Sequence, residues 1–258
     1  ERTPKYTAEE LYSEKLMFHG PRFQGVFSLD RLGEDGVLGQ LEALPSTELF
    51  RNQTKPLLIT DPFLLDAAGQ LIGYWPLEYL ETDFVVFPIG LSELRLYGPK
   101  PNLSERFRCH VRIRKVTSKR LRADVDILGS DNTVRMCLIG WENWRFYCTS
   151  QLYSFWRHPK DLSLSVSWDS LRSKFPLPES FEYYRLDMPE PAQFILKDPW
   201  VYLLLNGVER EAWRNLKGPE AHQAKWLIGR WVAKDAVRMF LRKHHDIGLY
   251  PADIEIAK

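Results

Sequence analysis

The sequence predicts an α+β fold, an antiparallel sheet wrapped around a central helix, with a smaller mixed α/β lobe after it. Three observations carry this. The segment DPFLLDAAGQLIGYW, from Asp61, is apolar on nearly every face and so reads as a helix inside a core. RFRCHVRIRKV and RLRADVDIL alternate apolar and polar residues, as half-buried strands do. From about residue 188 the alternation gives way to helical spacing.

At 258 residues, with 44% hydrophobic content, the chain is long enough for one large domain or two ordinary ones. Its 35 basic and 34 acidic side chains leave a net charge of +1, so no global field favours nucleic acid or an anionic membrane. No apolar run approaches the roughly 20 residues a bilayer span needs. Cys109, Cys137 and Cys148 lack metal-type spacing, and three cysteines fit a reducing, cytoplasmic setting. The start, ERTPKYTAEE, has neither an initiator Met nor a signal peptide's apolar centre, and the expectation is a piece of a longer protein.

Taken in order, TAEELYSEKLM (7–17) predicts a short amphipathic helix, with Thr7 and Glu10 at capping-box spacing. HGPRFQG then makes a turn. Asp61 caps the central helix and Pro62 fits its first turn. That helix is expected to end near Pro76, because proline removes a helical hydrogen bond and biases Trp75 away from helical angles.

In the strands, Phe107, Cys109, Val111 and Ile113 face one way, as do Leu121, Ala123, Val125 and Ile127. A hairpin through Thr117 and Ser118 sets Asp124 and Asp126 beside the arginines of the preceding strand. LGSDNTVRMCLIGW adds a turn and another strand. The expected division is a sheet-and-helix domain over 1–147, a packed connector over 148–187 and a smaller lobe over 188–258.

In the lobe, PAQFILKDPWVYLLLNGVEREAW predicts a strand then a helix. A long helix follows, with Pro219 at its start and Gly248 beyond its end. Trp226, Gly229, Ala233, Val237 and Phe240 form its apolar stripe, and LYPADIEI heads into a short strand.

Asp66 and Gln70 stand one turn apart in the central helix and are therefore neighbours. A carboxylate among Phe63, Leu64, Leu65, Ala67 and Ala68 costs several kcal/mol unless it is hydrogen-bonded or protonated. Such a pair is either a general acid held by an amide or an Asp that caps a neighbouring loop.

Three motifs in order, LYSEKLMFHGPRFQGV, DPFLLDAAGQ and FPIGLSELRLYG, resemble the second half of the double-hotdog dehydratase domain of modular polyketide synthases. The matching residues are Gly20, Pro21 and Phe23, then Asp66 and Gln70, then Pro88. The resemblance implies removal of water from a β-hydroxyacyl chain held as a phosphopantetheine thioester on an acyl carrier protein, with no bound cofactor. A histidine of the first hotdog would take the α-proton, Asp66 would protonate the leaving hydroxyl and Gln70 would orient Asp66. His19, Gly20, Pro21, Phe23 and Pro88 would line the substrate's channel.

The sequence departs from that pattern in three places. Asp61-Pro62 replaces the family's His-Pro, His19 replaces a tyrosine, and no histidine here sits in the family's His-x-x-x-Gly-x-x-x-x-Pro motif. The implied partner is an upstream hotdog half or another chain that supplies the base, and a homodimer stays open. A non-catalytic hotdog that binds acyl chains or organises an assembly is the alternative.

NGVEREAWRNL, WLIGRWVAKDAVRMFL and PADIEI resemble the opening lobe of a surfactin-type 4′-phosphopantetheinyl transferase, and a fragment of such a transferase is a further alternative. Trp231-Val-Ala-Lys234-Asp235 also mimics that family's later Trp-x-x-Lys-Glu motif. Coenzyme A and Mg²⁺ are implied only if the transferase is completed downstream, since its Gly-x-Asp metal motif is absent. The arginines of RFRCHVRIRKV face Asp124 and Asp126, which argues against RNA. His158, His244 and His245 lack acidic or cysteine companions at metal-ligand spacing.

Overall fold

The computed structural model describes residues 1–47, 49–53, 56–80, 84–147, 150–176, 182–186 and 197–257. The chain divides into two compact units, Glu1–Tyr147 and Cys148–Lys258.

In the first unit, helix α1 (Ala8–Ser13) precedes a 3-10 turn (Pro21–Phe23), the hairpin β1 (Val26–Gly33) and β2 (Gly36–Glu42), and helix α2 (Pro62–Tyr79). Strands β3 (Phe84–Gly90), β4 (Glu93–Leu96), β5 (Arg106–Val116), β6 (Arg120–Leu128) and β7 (Val134–Tyr147) follow. One antiparallel sheet runs β1-β2-β5-β6-β7-β3, with β4 pairing β7 beside β3. This is the hotdog arrangement: the sheet curves around α2, which packs on β1, β2, β3 and β5.

Alternation sets the core as expected. Phe107, Cys109 and Val111 are buried, as are Leu121, Ala123, Val125 and Ile127, together with Leu64, Ala68, Leu71 and Ile72 of α2. Ile113 is less buried, beside an irregularity in the β5–β6 register. On the outer face Arg112 pairs with Asp126, and Arg114 Nε donates to Asp124 Oδ2 at 2.7 Å, the pairing the hairpin predicts.

Two glycines let the layers close. A Cβ at Gly39 would lie 2.5 Å from the Ser28 carbonyl oxygen and 3.4 Å from Leu71, and one at Gly69 would lie 3.0 Å from the Trp141 ring.

The first helix keeps its capping box but ends at Ser13 rather than Met17, and Lys15 adopts a left-handed φ of 52°. The central helix does not end near Pro76; it runs on to Tyr79. Proline deprives the Ile72 carbonyl of its helical donor, and the turn beyond it is held from outside. The buried Glu78 carboxylate accepts from Arg2, from the Tyr74 hydroxyl and from the Lys5 backbone N–H, 3.0 Å from each oxygen.

The second unit is chiefly helical among the described residues: α3 (Ser150–Arg157), α4 (Ser170–Lys174), α5 (Lys197–Leu204), α6 (Gly207–Arg214) and α7 (Glu220–His245), with a two-residue ladder of β8 (Val166–Ser167) and β9 (Tyr184–Arg185). The expected connector shares this core: Phe155 stacks on Trp231 at 5.9 Å, and Trp231 lies 4.7 Å from Trp200. WVYLL (200–204) belongs to a helix, while the strand expected before it, around PAQFIL, falls outside the described residues.

The long helix forms where predicted, but its left-handed cap is Asp246 (φ 54°), ahead of Gly248. Its expected stripe is only partly covered, with Trp226 and Ala233 half-buried. Val237 and Phe240 are exposed, and Leu227, Trp231, Lys234, Asp235 and Arg238 are buried instead. Periodicity in apolar residues alone misplaces this face because the buried one carries compensated charges. Lys234 Nζ donates to the Leu204 carbonyl at 2.7 Å and pairs with Glu209; Asp235 accepts from Arg238 at 2.8 Å and from the Ser165 N–H at 3.1 Å. The chain's last segment is a 3-10 turn (Pro251–Asp253) rather than a strand. No helix among the described residues is long and apolar enough to cross a membrane.

Removing one member of a buried ion pair strands the other charge, at a cost of about 3–5 kcal/mol. Lys234→Met is therefore expected to lower the unfolding free energy of the second unit by that amount in urea titrations followed by tryptophan fluorescence. The double variant Lys234→Met/Glu209→Leu is expected to lose more, because Glu209 also accepts from the Asn206 and Ile256 N–H groups and pairs with Arg230.

Candidate active site

Asp61 begins α2 by accepting from the N–H groups of Phe63 (2.9 Å) and Leu64 (3.0 Å), which fixes the register of the helix. Asp66 and Gln70 then fall on one face, and Gln70 Nε2 donates to Asp66 Oδ2 at 2.7 Å. The same nitrogen donates to the Phe23 carbonyl at 2.6 Å. The Tyr12 hydroxyl donates to Gln70 Oε1 at 2.7 Å and accepts from the Val26 N–H at 3.0 Å. These partners decide which end of the buried Gln70 amide is nitrogen.

His19 completes the group. Its Nε2 lies 3.4 Å from Asp66 Oδ2, and its side chain is 13% exposed. The ring stacks on Phe18 at 4.4 Å, and Gln24 Nε2 donates to the His19 carbonyl at 3.1 Å. The loop lies close on the helix because residue 25 is glycine: a Cβ there would stand 3.0 Å from the Ala67 Cβ.

The apolar sequence around Asp66 implies a deeply buried carboxylate, and here the structure corrects the expectation. Its side chain is 33% exposed, because position 66 lies at the rim of the helix's buried face while Ala67, Ala68 and Gln70 lie within it. Oδ2 meets Gln70 and His19, and Oδ1 makes no hydrogen bond among the described residues. Oδ1 is thus the oxygen left open to an incoming group.

Of the residues named from the sequence, Asp66, Gln70, His19 and Phe23 converge. Phe23 contributes its carbonyl, and its ring lies 5.0 Å from that of Phe63. Gly20 and Pro21 are exposed and open the 3-10 turn, with the Gly20 carbonyl accepting from the Phe23 N–H at 2.8 Å; nothing would meet a Cβ at Gly20. Pro88 is exposed on β3, in register with Asn143, and outside this hydrogen-bonded group. Tyr12 was not singled out by sequence reasoning; its signal was a polar-tipped aromatic beside Leu11 on α1. Lys234 and Asp235, the transferase-like pair, are fully buried and engaged with Glu209 and the Leu204 carbonyl, and with Arg238 and Ser165, respectively. No group of three His, Cys, Asp or Glu among the described residues is placed to hold a metal ion.

The fold and this array define a hotdog-type protein whose inner helix presents a half-open carboxyl group. Residues 4–143, more than half of the chain, match the family model described as the polyketide synthase dehydratase N-terminal domain. The chain belongs to the polyketide synthase dehydratase family. The description names an N-terminal domain, whereas the motifs resemble the second half.

Among curated relatives, the phthioceranic/hydroxyphthioceranic acid synthases of Mycobacterium tuberculosis and Mycobacterium bovis are 29% identical over 122 residues. The match covers 47% of this chain, and the chain spans only 6% of the length of those relatives. Among solved structures, the dehydratase domain of the CurF module of curacin polyketide synthase is 27% identical, with 55% of this chain and 48% of that chain covered and a TM-score of 0.40. The dehydratase domain of PpsC from Mycobacterium tuberculosis is 17% identical, with 56% and 53% covered and a TM-score of 0.42.

Burial pushes the Tyr12 phenol up to about 12, with the neighbouring Asp66 adding to the rise and the Val26 N–H opposing it. A free tyrosine titrates near 10. The folded state thus holds this proton more tightly than the unfolded chain, and the resulting stability is complete below about pH 10 and lost as pH rises to about 12. Between those values the urea midpoint of the native chain is expected to fall more steeply with pH than that of Tyr12→Phe.

Proposed function

We propose that residues 1–147 form the second hotdog half of a polyketide synthase dehydratase, acting on β-hydroxyacyl thioesters carried by the phosphopantetheine arm of an acyl carrier protein. The observation that carries this reading is Asp66, with Oδ2 held by Gln70 and Oδ1 open. In the proposed step the Cβ–O bond breaks and the oxygen leaves as water with the proton of Asp66. The α-proton passes to a base, and the electron pair of the C–H bond becomes the new double bond. Gln70 turns the carboxyl group, and Tyr12 fixes Gln70. No bound cofactor takes part.

The base is proposed to come from a histidine-bearing first hotdog. Exposed apolar residues support such a cover: Phe18 is 79% exposed, and Leu57, Ile59, Phe87 and Ile89 are also exposed. Strand β3 ends the sheet's strand order among the described residues.

One observation favours a non-catalytic, acyl-binding or scaffolding hotdog for the chain by itself. Besides His19, the first unit has only His110, which points outward from β5. For the second unit the transferase-lobe reading rests on its sequence resemblance. Coenzyme A and Mg²⁺ would belong to it only with acidic ligands supplied from elsewhere.

The test is mass-spectrometric detection of water loss from a β-hydroxyacyl carrier-protein thioester. This chain is compared alone, joined to a histidine-bearing first hotdog half, and so joined with Asp66→Asn. Water loss only in the joined form, reduced about 100-fold or more by the substitution, is the expected result. Turnover unaffected by Asp66→Asn removes the catalytic reading, and no turnover in any form favours the scaffold.

A further inference from the structure

His19 has one nitrogen in use and one enclosed. Nδ1 is buried without a hydrogen-bond partner, while Nε2 lies 3.4 Å from Asp66 Oδ2. With the proton on Nδ1, that N–H would be buried without an acceptor and the Nε2 lone pair would face the Asp66 oxygen. In the neutral ring the proton therefore belongs on Nε2, facing Asp66. The stack on Phe18 and the Gln24 bond to the His19 carbonyl hold the ring in that orientation.

Gln70 Nε2 donates to Asp66 Oδ2 at 2.7 Å, and His19 Nε2 stands 3.4 Å from the same oxygen, an ion-pair distance longer than an ordinary hydrogen bond. With Oδ2 engaged, Oδ1 is the oxygen left to face the substrate. Gln70 alone fixes one direction of the carboxyl plane. A second donor from another element, the loop before the 3-10 turn, opposes rotation that would exchange the two oxygens.

We propose that His19 is a positioning residue for the acid: its Nε2–H and the Gln70 amide hold Asp66 Oδ2 together, so that Oδ1 is presented to the substrate's hydroxyl group. This rests on the dehydratase reading of the site and assigns His19 a role distinct from lining the acyl channel.

Two measurements test it. In the chain alone, labelled with ¹⁵N-histidine, a held imidazole N–H gives a proton resonance slow enough in exchange to be seen. That resonance is expected on Nε2 of His19 and should vanish in Asp66→Ala. A resonance on Nδ1 instead, or none on this ring, overturns the proposal.

In the domain completed by a histidine-bearing first half, His19→Phe keeps a ring but no donor, and His19→Gln keeps a donor that does not titrate. The expected result is a roughly tenfold lower kcat for His19→Phe with little change in KM, and recovery to within about threefold for His19→Gln. Loss confined to KM, or equal loss in both variants, assigns His19 to substrate contact or to folding and overturns positioning. An active native domain that Asp66→Asn silences but His19→Phe leaves intact defeats this inference while keeping the dehydratase reading; an inactive native domain defeats both.

Discussion

The first unit's site depends on one buried amide. Gln70 accepts from Tyr12 at one end and donates to Phe23 and Asp66 at the other, so three separate segments meet at a single side chain. Polarity runs one way through it, from the Val26 N–H through the Tyr12 hydroxyl and the Gln70 amide to the Asp66 carboxyl group. Linked hydrogen bonds polarise one another. A satisfied amide at this depth also specifies how α1 and the 3-10 turn sit on α2, which apolar packing alone would leave looser.

Much of the sheet was legible in the sequence because its information is local. A period of two places Phe107, Cys109 and Val111 inside and the arginines outside, and the short Thr117-Ser118 turn fixes which acids meet which bases. The Asp66–Gln70 neighbourhood followed from helical spacing for the same reason. What spacing could not give was the arrival of His19 and Tyr12, since contacts across 47 or more positions leave no periodic trace. The depth of Asp66 was overestimated because the composition of a segment says nothing about where its buried face ends. The continuation of α2 past Pro76 escaped for a related reason: its anchor, Glu78, is satisfied by Arg2 and Lys5, at the far end of the unit's sequence.

The second unit shows the opposite relation between pattern and burial. On α7 the apolar stripe is the wetter side, and Lys234, Asp235 and Arg238 point inward. Charges are tolerated there because each finds carboxylate, guanidinium or carbonyl partners. Burial pushes the Lys234 ammonium below its usual range, against the pull of Glu209. The Lys-Asp pair that resembles a catalytic motif thus acts as a tie between α5, α6, α7 and the segment around Ser165. Motif letters acquire a role only with their surroundings.

The contact between Gly25 and Ala67 sets a mechanical tolerance for the site. The loop that carries His19 and Phe23 and the helix that carries Asp66 are separated at that point by less than the room one methyl group requires. Two such small residues work as a matched pair, and enlarging either would lift the loop from the carboxyl group by a distance comparable to a hydrogen bond's whole useful range. The alignment of the acid thus rests on two residues that carry no functional group at all.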